Sequence, residues 1–182
     1  MKVTVIANIS VNGRILISDN PHHKLPPEAM EFYIQSVKRV GNVVIGLKTF
    51  ENFLNFPDQV KEHFNGIEII ILADKSYTAD GYKTVASPEE AIAYMSAKGV
   101  REIAVGGGAG TFNAFLDKDL VTDIYFNVSP IITGAGAILA NNKELSSKFK
   151  YKGQKLKNGL LQLHLTKESW ITIEQKMSVK NS

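Results

Sequence analysis

Apolar positions change their spacing along this chain in a way that separates strands from helices. Residues 2–9, KVTVIANI, form a nearly unbroken Val/Ile-rich run, as expected of a buried strand. Short runs of the same kind recur at 42–46 (NVVIG), 67–73 (IEIIILA) and 101–105 (REIAV). Between them the period lengthens. In PPEAMEFYIQSVKRV, Ala29, Phe32, Tyr33, Ser36, Val37 and Val40 fall near one helical face. Proline suits the first turn of that helix, and Lys38 and Arg39 sit where cations suit its dipole. KTFENFL (48–54) reads as a short helix with Thr49 near its start. SPEEAIAYMSAKG (87–99) carries full punctuation: Ser87 as N-cap, Pro88 at the first position, Glu90 three residues after the cap, and Gly99 as the stop. GTFNAFLDKD (110–119) is a further helix, and strand signals follow at 121–128, around 148–152, at 160–166 and at 170–176.

Strands thus alternate with helices as far as residue 119, and the last third is mostly strand. Alternation predicts right-handed crossovers and a largely parallel sheet; the strand-rich end predicts antiparallel strands added at one edge. The fold class expected is α/β, with helices on both faces of a mixed, mostly parallel sheet. No repeat or low-complexity linker interrupts it, so one domain is expected over 1–176, followed by a solvated tail at 177–182.

Composition narrows the function. The 182 residues are 44% hydrophobic, enough for a core without staples. There is no cysteine, which excludes a disulfide scaffold, a thiolate metal site and a cysteine nucleophile, and fits a reducing compartment. The formal net charge is only +3 and no basic block stands out, so nucleic acid is not an expected partner. No apolar stretch approaches a membrane span. A soluble, cytoplasmic protein is the expectation. His22 and His23 are adjacent but lack a third ligand, so no metal is expected.

The most distinctive segment is IAVGGGAGTFNAFL (103–116). Glycines let a backbone approach a ligand closely, and a following helix N-terminus offers N–H donors to a phosphate. The alternative is a tight strand-to-helix turn and nothing more. Thr111 stands where a dinucleotide fingerprint wants its third glycine, and the P-loop lysine is missing.

Other stretches bear on that choice. GLKTFENF (46–53) and VGGGAGTFNAFL (105–116) resemble the cofactor-binding segments of the dihydrofolate reductase superfamily. SVNGRI (10–15) and LVTDIYFNVSPIITGAGAIL (120–139) resemble a narrower group, the C-terminal reductase domain of the bacterial riboflavin-biosynthesis deaminase/reductase (RibD). The resemblance runs from residue 2 to about residue 166 and implies a dihydrofolate-reductase-like fold, NADPH rather than NADH as cofactor, and a homodimer.

By that resemblance, Gly106, Gly107, Gly108, Ala109, Gly110 and Thr111 cradle the cofactor diphosphate, and Ala7, Gly46 and Thr49 line the cofactor. Lys48 is the natural counter-charge, or else a surface lysine. Lys75 and Ser76 are candidates for the adenosine 2′-phosphate, beside an unhelpful Asp74. Ser10, Asn12, Gly13, Arg14 and Pro130 belong to the implied substrate region, with Gly134 and Gly136 in the same second loop. The family usually has Asp where this chain has Asn12; an amide can hydrogen-bond a hydroxyl but is no general acid or base. Glu28 and Glu31 each match one form of the carboxylate that anchors a pterin in dihydrofolate reductases, and each also reads as an ordinary acid near a helix start.

The chemistry implied is hydride transfer to a small heterocyclic substrate: the ribosyl C1 of an aminouracil phosphate in the riboflavin-type reaction, or a pterin imine in the dihydrofolate type. The zinc deaminase that usually partners the reductase needs cysteines that this chain lacks. A third reading, from another class, is a dimeric nucleotide-binding module without turnover.

Overall fold

The computed structural model describes residues 1–16 and 25–168. Their elements are β1 (Lys2–Ser10), α1 (Pro27–Val40), β2 (Asn42–Gly46), α2 (Leu47–Leu54), α3 (Asp58–Lys61), β3 (Glu68–Leu72), β4 (Lys83–Val85), α4 (Pro88–Ala97), β5 (Glu102–Gly107), α5 (Ala109–Leu116), β6 (Asp123–Ser129), β7 (Phe149–Lys157) and β8 (Leu160–Lys167). The strands form one sheet in the order β4-β3-β2-β5-β1-β6-β8-β7. The first six are mutually parallel, and β8 and β7 extend the edge antiparallel, as the change of pattern along the chain predicts.

The unbroken apolar runs have a direct cause. Val3, Val5, Val44, Ile70, Ile103 and Val105 join one buried cluster with Met95, Phe112 and Phe115 of α4 and α5. Their strand neighbours Ile6, Val43, Ile45, Ile69, Ile71 and Ala104 join a second with Val37, Phe50 and Phe53 of α1 and α2. Successive side chains point to opposite faces, so a strand covered by helices on both sides needs apolar residues at every position. The result is the expected three-layer α/β arrangement.

Local rules are met at the helix ends. Pro27 opens α1 and Gly41, at φ 80°, closes it with its N–H on Val37 O. Ser87 Oγ accepts from Glu90 N, while Glu90 Oε2 reaches back one residue past the cap to accept from Ala86 N, a variant of the capping box on α4.

Several elements differ from the sequence expectation. β4 has three residues, two of them polar, so it leaves no apolar run to detect. The four-residue α3 gives no periodic signal either. β5 continues into Gly106 and Gly107 because its backbone still pairs with β2, Ile45 against Gly107. β7 runs on to Lys157 although most of it is exposed; pairing with β8 carries it. Asn158 (φ 49°) and Gly159 (φ 79°) join the two strands, with the positive φ values a tight hairpin turn demands. The expected strand at 170–176, the tail at 177–182, and His22 and His23 lie outside the described residues. No helix among the described residues is long and apolar enough to cross a membrane.

Candidate functional site

A cavity of about 590 Å³ opens at the C-terminal ends of β1, β2 and β5. Ligands of open α/β sheets bind at this end, because the strand-to-helix turns there expose helix N-termini. Ala7 and Asn8 of β1, Gly46 at the end of β2, Lys48, Thr49 and Asn52 of α2, and the whole run Gly106–Phe112 line it.

Two helices begin at this cavity, and neither uses a side chain as its cap. Gly46 is the N-cap of α2 and Gly108 that of α5. The first N–H groups of a helix have no partner inside it, so both starts present donors and positive dipole ends. The two starts also touch. A Cβ on Gly46 would stand 2.7 Å from Thr111 Oγ1, and one on Gly108 would stand 3.3 Å from Thr49 Oγ1. Glycine at 46 and 108 is therefore what lets the two turns approach. Gly107 has φ 115°, a conformation that side chains rarely adopt, and the Gly107–Gly108 peptide is cis. A dinucleotide diphosphate fits this arrangement: donors from two helix starts, no side chain in the way, and Lys48 as the charged side chain among the described lining residues. An apolar chamber beyond suits a nicotinamide ring.

The other expected residues distribute as follows. Lys75 and Ser76 do not line this cavity. Lys75 Nζ lies 3.8 Å from Glu90 Oε1 in a separate cleft beside β4. The Ser76 N–H and hydroxyl both donate to Asp74 Oδ1, and these bonds hold the Asp74 carboxyl below its ordinary range.

Ser10, Asn12, Gly13 and Arg14 form a tight turn beside the cavity. Ser10 Oγ donates to Asn12 Oδ1, Asn12 Nδ2 donates to Thr133 O, and Thr133 N donates back to Asn12 Oδ1. Arg14 Nη1 reaches Gly136 O at 3.3 Å, and the backbone of Gly136 passes so close that a Cβ there would stand 2.5 Å from Ile15 O. Asn12 thus staples this turn to the loop that follows β6. The cavity itself is lined by the flanks of the staple, Ile15, Leu16, Gly136 and Ala137, while Pro130 is exposed outside it.

Glu28 and Glu31 are also placed away from the cavity. Glu28 Oε1 accepts from Asn158 Nδ2 at 2.8 Å, and Glu31 Oε2 lies 3.2 Å from Lys157 Nζ. Its own backbone N–H and the Asn158 amide hold the Glu28 carboxyl below its ordinary range, so it is ionised at neutral pH. Both acids fasten the β7–β8 hairpin tip to α1. The residues that sequence reasoning passes over are Asn8, Asn52, Phe53, Phe56 and Phe64 in the lining, with Tyr33 as a lining rather than a core residue. A visible signal existed for Asn8, a polar residue inside the KVTVIANI run.

The model of the RibD C-terminal domain matches residues 1–178. The chain belongs to the RibD C-terminal domain family. No curated protein matches it closely enough to count as a relative. Among solved structures it is similar to a protein assigned to riboflavin biosynthesis from Shewanella sp. PV-4, at 20% identity, covering 93% of this chain and 100% of that one, with a TM-score of 0.70. It is similar also to a pyrimidine reductase-like protein from Corynebacterium diphtheriae (13% identity, 92% of each chain, TM-score 0.69). A third is the diaminohydroxyphosphoribosylaminopyrimidine deaminase/5-amino-6-(5-phosphoribosylamino)uracil reductase of Thermotoga maritima (12% identity, 92% of this chain and 56% of that one, TM-score 0.68). These likenesses establish the fold of this RibD C-terminal domain as dihydrofolate-reductase-like, and the family places it among oxidoreductases.

Proposed function

We propose that this RibD C-terminal domain is an NADPH-dependent reductase that delivers hydride to a small heterocyclic acceptor, the riboflavin-type aminouracil ribosyl phosphate being the first candidate. One observation carries the cofactor part: two uncapped helix N-termini, α2 and α5, meet glycine to glycine at a single cavity. NADPH, when bound, supplies the hydride. The chain binds and orients. Backbone N–H groups of the 108–111 turn and the start of α2 take the diphosphate, with Lys48 as counter-charge. Ala7, small and 3% exposed, leaves room for a flat ring against β1. The apolar walls exclude water from the reacting carbon. Lys48 at the diphosphate serves NADPH and NADH alike, so preference for NADPH needs a further cation at the 2′-phosphate, for which the exposed Lys75, 3.8 Å from Glu90, is the candidate.

The walls favour a second reading of the acceptor. Leu25, Met30, Phe53, Phe56 and Phe64 are apolar and three of them aromatic, which suits a pterin or another uncharged ring. A homodimer is part of the same proposal. Exposed Val11, Ile132 and Ile138 on the two stapled loops support it, and light scattering at several concentrations tests it.

The deciding experiment is titration with NADPH and NADH, following nicotinamide fluorescence. Micromolar NADPH binding with weaker NADH binding is expected. Absence of binding by either nucleotide overturns the proposal.

A further inference from the structure

We propose that the Tyr33 hydroxyl is the hydrogen-bond anchor that selects the acceptor, and that the group it takes is a carbonyl oxygen or ring nitrogen of an uncharged planar heterocycle. This rests on reading the chamber as the acceptor site. Strand alternation sets the stage. Ile6, Asn8, Val43, Ile45, Ala104 and Gly106 all fall on the face covered by α1 and α2. On that face α1 lays Met30 and Tyr33, three residues apart, against the chamber.

Gly106 is the reason Tyr33 reaches so far. A Cβ on Gly106 would collide with Tyr33 Oη and stand 2.6 Å from Val43 Cγ2. The glycine here makes room for a phenol, a role separate from the diphosphate cradle one residue later. The ring leans on Phe64, with centroids 6.5 Å apart. Burial pushes the phenol well above its usual range, so it keeps its proton at every physiological pH and serves as an O–H donor. Among the described residues Tyr33 Oη has no hydrogen-bond partner, although it lines a chamber walled mainly by apolar groups. Tyr33 is half-buried and faces the chamber, so a ligand carbonyl placed against its hydroxyl gains a hydrogen bond in mainly apolar surroundings.

The second polar point on the same face is Asn8, whose Oδ1 accepts from Asn127 Nδ2 at 2.9 Å. Asn127 holds the Asn8 amide in one orientation at the chamber wall. Two fixed polar points on an apolar surface read a flat ring with oxygen or nitrogen at its rim.

The test uses lumazine, an uncharged pteridine-dione, and naphthalene, a ring pair of the same size without polar atoms. Both are titrated into wild type, Tyr33→Phe and Gly106→Ala, each with and without NADPH. Wild type is expected to prefer lumazine. Tyr33→Phe keeps the ring, so it should weaken lumazine about tenfold, leave naphthalene unchanged and leave NADPH affinity unchanged. Gly106→Ala, which displaces the hydroxyl, should erase the same preference. A wild-type protein that does not bind lumazine, or a Tyr33→Phe preference equal to wild type, overturns the anchor. Failure to bind NADPH overturns the cofactor proposal alone, because the lumazine comparison without nucleotide still decides the role of Tyr33.

Discussion

At their N-terminal ends the six parallel strands begin on Lys2, Asn42, Glu68, Lys83, Glu102 and Asp123, and each of these side chains has a partner. Lys2 Nζ lies 3.3 Å from Glu102 and 3.7 Å from Asp123. Arg39 grips Glu102 through both guanidinium nitrogens, and Thr4 adds a third donor. Asn42 binds the backbone of β5, Glu68 takes Tyr94 and Lys98, and Lys83 sits over the Tyr94 ring. At the opposite end β2 and β5 finish on Gly46 and Gly107, and helices start there without side-chain caps. One end of the sheet has used its polar groups on itself. The other keeps backbone donors and an open chamber. A capping serine at position 46 would satisfy a helix end and remove the donor that a phosphate needs. The glycines there show where self-satisfaction stops and ligand binding begins.

The sharpest way to break this contrast is to close the open end. Gly46→Val puts a branched side chain against Thr111 and should weaken NADPH roughly a hundredfold, about 2.7 kcal/mol, in a fluorescence titration. Unchanged affinity would move the diphosphate elsewhere. The closed end is tested by acid. Burial opposes ionisation of Glu102, but Arg39, Thr4 and Lys2 outweigh it and hold the carboxyl down at about 2, against 4.5 for a free glutamate. A depressed carboxylate contributes stability above its unfolded value and loses it as pH falls towards the folded one. Wild type should therefore lose stability between about pH 5 and pH 2 through this group, and Glu102→Gln should flatten that part of the profile while binding NADPH normally. Equal acid profiles would show that the network is decorative.

A smaller effect is expected of Lys48→Ala: about tenfold weaker NADPH binding, near 1.4 kcal/mol, shrinking as salt rises. No change in salt dependence would return Lys48 to the status of a surface lysine. Ser87→Ala removes the side-chain cap that α4 possesses and α2 and α5 lack; it should cost about 1 kcal/mol in thermal unfolding and nothing in cofactor affinity.

The parts of this molecule that were legible in the sequence are those decided locally. Ser87, Pro88, Glu90 and Gly99 mark α4 because capping chemistry acts within a few residues. The parallel strands were legible because burial on both faces leaves an unbroken apolar run. The triple glycine announced a close backbone approach, and Gly46 and Thr49 entered through the family resemblance. The acceptor chamber was not legible. Met30 and Tyr33, Phe53 and Phe56, and Phe64 come from separate segments, and each reads as ordinary core until the strands bring their faces together. Glu28 looked like a ring anchor because its partner Asn158 lies on a hairpin far along the chain, and nothing local to α1 announces that contact.

The position of β1 has a consequence for how the protein is made. It is the first strand in the chain, yet it lies between β5 and β6, with Lys2 paired to Glu102 and Thr4 to Asp123. A nascent chain therefore carries Val3, Val5 and Ala7 with both edges unpartnered until residues 102–129 have left the ribosome. Closure between such distant segments is slow, and unpaired apolar edges invite association with other chains meanwhile. The wall that carries Ala7 and Asn8 is synthesised well before the strands that seat it.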